Sequence, residues 1–170
     1  MERRIGVRGI AYKGGKLLSV RHKGRNGETA EYWSIPGGGL DPAEQIEQGV
    51  TREMLEETGI MPKVGRLLFV QQFIFPMHTG ELREHLEFFF HLENPGDYET
   101  IDLAITTHGE QELAEIAWID PSTSNVRPAF LQTMNLDEYL STGKPVYIWN
   151  ELPLKEDSLD IVDPTVHSIT

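Results

Sequence analysis

Residues 38–60, GGLDPAEQIEQGVTREMLEETGI, constrain this chain more than any other stretch, because helix punctuation coincides with a charge pattern that ordinary helices avoid. Asp41 stands where a helix cap is wanted, Pro42 suits a first helical position, and Glu44 completes an Asp-x-x-Glu capping box. Gly59 closes the segment as a C-terminal glycine. Gly49, inside it, costs about 1 kcal/mol against alanine, so the helix rests on its caps and its periodicity. Six acids (Asp41, Glu44, Glu47, Glu53, Glu56, Glu57) face one base, Arg52, a net −5 over 23 residues. At about 100° per residue, Glu53, Glu56 and Glu57 share one arc about 100° wide. Ile46 and Val50 fall at nearly the angles of Glu53 and Glu57, with Met54 beside them. The acids therefore coincide with the stripe that packs on a sheet, not with a solvated face.

Carboxylates crowded on a packed face have raised pKa values unless a divalent cation neutralises them. The cluster offers hard oxygen donors and contains neither Cys nor His, which points to Mg²⁺ or Mn²⁺ rather than zinc. The whole chain has 15 Lys plus Arg against 27 Asp plus Glu, a net charge of −12. Such a chain has no overall electrostatic route to phosphate backbones, so a nucleic-acid partner is not expected. The absence of cysteine excludes disulfides, thiolate nucleophiles and Cys-ligated metal. No apolar run approaches the roughly 18 residues that span a bilayer, and MERRIGVRGI lacks an apolar signal core. The expectation is a cytoplasmic protein with no membrane partner.

Alternating residues 5–12, a Gly14-Gly15 turn and residues 16–23 predict a hairpin. A short strand over 32–35 precedes Pro36-Gly37-Gly38-Gly39. Residues 64–75 and 84–93, rich in β-branched and aromatic side chains, predict two long strands joined by a loop over 76–83. After a polar connection over 94–111, a strand is expected at 116–119, a second helix at 128–140 and a last strand at 146–149. This order predicts one α/β domain over residues 1–150, followed by an acidic tail at 151–170.

The acidic stretch resembles the Nudix box, G-x5-E-x7-R-E-U-x-E-E-x-G-U, where U is a bulky aliphatic residue. Gly38, Glu44, Arg52, Glu53, Met54, Glu56, Glu57, Gly59 and Ile60 occupy all its fixed positions. The resemblance implies a Nudix fold, an α/β/α sandwich with a mixed β-sheet between helices. It also implies hydrolysis of a nucleoside diphosphate linked to another group, by water attacking phosphorus. By the same resemblance Glu53, Glu56 and Glu57 are metal ligands, helped by the Gly38 carbonyl, and Arg52 orients Glu56 or pairs with Glu44. The general base is a box glutamate or one from a later loop, where Glu112, six residues before Trp118, is the candidate beside Glu110 and Glu115. Many family members dimerise, so a homodimer is an expectation.

For the substrate, Arg21, Lys23 and Arg25 are candidate phosphate contacts, and Phe73, Phe75, Phe88 and Tyr32 a candidate stacking wall. Pro76, 16 residues beyond Ile60, matches ADP-ribose-hydrolysing relatives and some that hydrolyse triphosphates. ADP-ribose or an NDP-sugar is the preferred small nucleotide substrate, with a house-cleaning (d)NTP pyrophosphatase as the alternative. A non-catalytic domain that binds a nucleotide metabolite is the reading from another class.

Overall fold

The computed structural model describes residues 2–24, 26–77, 79–106 and 108–152; Arg25 and residues 153–170 of the expected tail lie outside them. The N-terminal half opens with strands β1 (Glu2–Ile10), β2 (Tyr12–Lys13) and β3 (Lys16–His22), as the alternation and the Gly14-Gly15 turn require. Two short strands, β4 (Trp33–Ser34) and β5 (Gly37–Gly39), precede helix α1 (Ile46–Thr58). The long strands β6 (Val64–Pro76) and β7 (Leu82–Leu92) form the expected antiparallel pair. Beyond them lie a short helix α2 (Gly109–Glu112), strands β8 (Leu113–Ile119) and β9 (Val126–Arg127), helix α3 (Leu136–Ser141) and strand β10 (Tyr147–Asn150).

The strands form two mixed sheets where the sequence suggests one. The first runs β10-β6-β7-β1-β5, and the second β2-β3-β4-β9 with β8 on the free side of β3. β1 pairs with β7 in parallel and with β5 antiparallel, so the glycine lead-in is itself an edge strand. One buried cluster gathers Ile10, Leu17, Ile35, Leu68, Phe69 and Phe89 with Phe130, Leu131, Leu136 and Tyr139 from the C-terminal helical segment. The other gathers Val7, Ala11, Leu18, Phe90 and Leu92 under Val50 and Met54 of α1. Helical segments thus cover opposite sides of the sheet layer, the expected α/β/α arrangement.

Two boundaries differ from the sequence pattern. α1 starts at Ile46, not at Asp41: Glu44 N–H closes a turn onto the Asp41 carbonyl (3.1 Å), and Ala43 takes a left-handed φ of 63° that interrupts helical geometry. The expected helix over 128–140 divides into a 3₁₀ turn, Ala129–Gln132, and α3, because Asn135 starts a new helix by accepting the Glu138 N–H. Of the expected tail, Glu151 continues the path of β10, donating its N–H to the Gln72 carbonyl (2.9 Å). Among the described residues no helix is long and apolar enough to cross a membrane.

Candidate active site

The C-terminal half of α1 lies against β5 and carries the box acids. Val50, Met54 and Glu57 are buried together, so Glu57 occupies a core position of the helix while Ile46, at its first turn, stays 37% exposed. Glu57 is 2% exposed, and its Oε2 accepts the Gly37 N–H at 2.8 Å. Burial pushes its pKa from 4.5 up to about 8, against the pull of the Gly37 hydrogen bond and of Arg8. Burial also raises Glu53, with Arg52 opposing.

Arg52 holds the acids in place. It grips Glu44 through two bonds of 2.9 Å, and donates to Glu53 Oε1 (2.8 Å), Glu56 Oε2 (3.2 Å) and the Gly39 carbonyl (2.8 Å). Both pairings allowed by the sequence are therefore made. The Arg52 bonds and the Asp41 N–H hold Glu44 down at about 2, so this acid is a fixed counter-charge rather than a proton carrier.

Glycine is required twice where β5 meets this cluster. Gly37 has φ 132°, and a Cβ there would stand 2.1 Å from the Val7 carbonyl oxygen. A Cβ on Gly38 would stand 2.4 Å from Glu53 Oε2, so only glycine admits that carboxylate beside the strand.

Glu53, Glu56, Glu57 and Gly38 line a cavity of about 560 Å³ together with Glu112, Arg4, Arg8, His22, His108, Tyr32 and Ser34. Of Glu112 and Glu115, the structure brings Glu112 to the box, at the end of α2, while Glu115 turns to Arg21 (3.4 Å); the Glu110 side chain lies outside what the structure describes. Arg21 also bonds the Ala30 carbonyl and lies over the Trp33 ring. Neither Arg21 nor Lys23 lines the cavity, so the structure does not place these two expected phosphate contacts at the acids. His22, between them in sequence, does line the cavity, as alternation along the chain allows. The cations at the site are Arg4 and Arg8 of β1, which the motif does not mark. Their alternation along β1 shows only that they share a face; the pairing of β1 with β5 is what brings them to the acids.

Tyr32, Ser34, Arg4 and Arg8 also line a second cavity of about 540 Å³, walled by Phe73, Phe75, His85, Gln71, Glu87, Arg127 and Glu151. Phe73 stacks on His85 with ring centroids 4.8 Å apart. Phe88 faces the other way and packs with the cluster under α1. Between the cavities, half-buried Arg8 donates to Glu87 (2.8 Å) and to the Gly37 carbonyl (2.6 Å). Burial opposes ionisation of Glu87, yet Arg8 outweighs it and holds the carboxyl below its usual range. Because the folded value is depressed, this pair's stability is present above the ordinary carboxylate range and lost as pH falls through the folded value. Glu87→Gln is expected to cost about 2 kcal/mol at pH 7, by leaving Arg8 without its counter-charge. Thermal melts should show that deficit shrinking towards acid pH; an equal deficit at pH 7 and pH 3 would contradict the pairing.

Among the described residues, no three His, Asp or Glu side chains already converge as a metal-ligand set. The donor chemistry nevertheless suits a hard divalent cation. Arg52 occupies one oxygen each of Glu53 and Glu56, Glu57 is a buried acid without a cationic hydrogen-bond partner among the described residues, and Gly38 admits Glu53 to the strand.

The family model described as the NUDIX domain matches residues 2–134. In sequence, the chain is 39% identical over 66 residues to an ADP-ribose pyrophosphatase of Methanocaldococcus jannaschii, covering 39% of this chain and 38% of that protein. It is 30% identical over 95 residues to an RNA pyrophosphohydrolase of Wolbachia pipientis wMel, covering 51% and 59% respectively. The matches thus span less than two thirds of these relatives' own lengths. A MutT protein from Methanosarcina mazei Go1 shares the fold, with a TM-score of 0.59 at 22% identity over 84% of this chain and 96% of that one. With a complete box running from β5 to the end of α1, and a family match over most of its length, the chain belongs to the NUDIX domain family.

Proposed function

We propose that this chain is a Mg²⁺- or Mn²⁺-dependent pyrophosphohydrolase that cleaves a nucleoside diphosphate linked to another group, with ADP-ribose or an NDP-sugar preferred. The observation that carries this reading is the junction of the two cavities, where buried Glu57 and half-buried Glu53 and Glu56 adjoin Arg4, Arg8 and an aromatic wall. The match to an ADP-ribose pyrophosphatase supports the preferred substrate.

Glu53, Glu56 and Glu57 with the Gly38 carbonyl would hold the cation, and Glu112 is the further acid within reach of the same cavity. When bound, a divalent cation neutralises the phosphate charge and polarises the phosphoryl oxygens. Arg52 keeps Glu53 and Glu56 oriented, and one cavity-lining carboxylate takes the proton of the attacking water. Arg4 has no hydrogen-bond partner among the described residues and is free to contact a phosphate, whereas Arg8 is committed to Glu87 and Gly37. Water adds to phosphorus, the anhydride P–O bond breaks, and the leaving phosphate departs with the charge.

Product release from ADP-ribose, NDP-sugars, dinucleoside polyphosphates, (d)NTPs and 5′-triphosphate RNA, each with Mg²⁺ or Mn²⁺, tests this reading. AMP and ribose 5-phosphate from ADP-ribose are expected. Faster cleavage of (d)NTPs or RNA 5′ ends would replace the preferred substrate, and no cleavage of any would leave the metabolite-binding reading.

A further inference from the structure

The aromatic cavity ends in a carboxylate that the box chemistry does not use. Glu151 Oε1 accepts from Trp149 Nε1 (2.7 Å) and from Gln71 Nε2 (3.0 Å), while Oε2 accepts nothing among the described residues. Gln71 is itself buried, which fixes one of the two donors. Glu151 is thus held by two N–H groups through one oxygen, and lines the cavity with the other available as an acceptor.

The sheet arranges this acceptor in order with the other groups. Across β10, β6, β7, β1 and β5 run the register partners Trp149, Gln71, Glu87, Gly6 and Gly39. The row two residues further on carries Phe73, His85 and Arg4. The sheet therefore presents a fixed acceptor and an aromatic stack at one end, and Arg4 and the glycine strand with its acids at the other. The three strand spacings from β10 to β1 amount to about 14 Å. A nucleotide lying along these rows places its phosphates at Arg4 and its base at Phe73, His85 and Glu151.

We propose that Glu151 determines base specificity, selecting a base with an exocyclic amino group through an N–H donated to its Oε2. Adenine presents such a donor at N6, whereas hypoxanthine carries a carbonyl oxygen there, which meets the carboxylate as acceptor against acceptor. A site built around a polar partner discriminates by leaving that partner unpaired with the wrong ligand. The proposal rests on the phosphate-site reading above and assigns a residue to the choice of base.

Equilibrium binding of AMP and IMP to the full chain, followed by calorimetry, tests it without requiring turnover. The wild type should bind AMP about 10-fold more tightly than IMP, one hydrogen bond's worth of discrimination. Glu151→Gln keeps an acceptor for Trp149 and Gln71 and turns the second position into a donor. It should therefore weaken AMP about 10-fold and equalise or reverse the AMP-to-IMP ratio, whereas a merely structural role for Glu151 would weaken both alike. Equal or weaker binding of AMP than IMP by the wild type, no binding of either, or an unchanged ratio in the variant would each overturn the proposal. If the variant fails to fold, as its melting would show, the wild-type ratio decides alone. AMP selectivity without cleavage of any anhydride would overturn the hydrolase reading and leave this one standing. Cleavage with no preference between the bases would do the reverse.

Discussion

Replacing Glu57 with Gln is expected to lower kcat by about 100-fold or more, a loss of about 2.7 kcal/mol of transition-state stabilisation. The amide can still accept the Gly37 N–H, so the helix and strand stay joined, but it removes a negative ligand from the centre of the acid cluster. The fold should hold for a further reason: burial already penalises the ionised carboxyl, raised to about 8, and the amide avoids that penalty. Steady-state rates with saturating Mg²⁺, alongside a melting curve, separate lost chemistry from lost structure. Unchanged turnover would remove Glu57 from the active centre.

Gly37→Ala should be the most damaging single change to the fold, costing on the order of 4 kcal/mol. Its Cβ would meet the Val7 carbonyl at 2.1 Å, a backbone atom that cannot rotate away, in a conformation that L side chains rarely adopt. Moving β5 off β1 to relieve the clash would also break the Gly37 bonds to Glu57 and Arg8. Gly39→Ala is the internal control. Its Cβ would approach only the guanidinium end of Arg4, at 3.2 Å, which is free to swing aside. Denaturant unfolding of the two variants should therefore differ by several kcal/mol, and equal stabilities would contradict the packing of β5 on β1.

The parts of this site that were legible in the sequence are those fixed by local spacing. The helical period alone places Glu53 and Glu57 with Val50, and the i,i+4 step places Arg52 beside Glu56. The Arg52–Glu44 pair joins the helix to the turn just before it and is equally local in origin. Arg4 and Arg8 were not legible, because their place depends on β1 lying between β5 and β7, partners many residues away. The same non-locality divided the expected single sheet into two and took Arg21 to Glu115. Even local signals misled where two local structures competed. Asp41, Pro42 and Glu44 have the residues of a helix start, but they close a turn, and Glu44 serves Arg52 instead. Glu151 could not be assigned from sequence for a similar reason: it follows the last strand in an acidic stretch, and only the parallel pairing of β10 with β6 brings it to Gln71.

The measurement closest to the central claim is the rate of AMP release from ADP-ribose as Mg²⁺ or Mn²⁺ is titrated into chelator-treated protein. Turnover should be absent in chelator and rise with saturable dependence on the metal, and Glu57→Gln should fail to recover it at the same metal concentrations. Turnover in excess chelator equal to that in Mg²⁺ would contradict a site in which the box carboxylates act by holding a divalent cation.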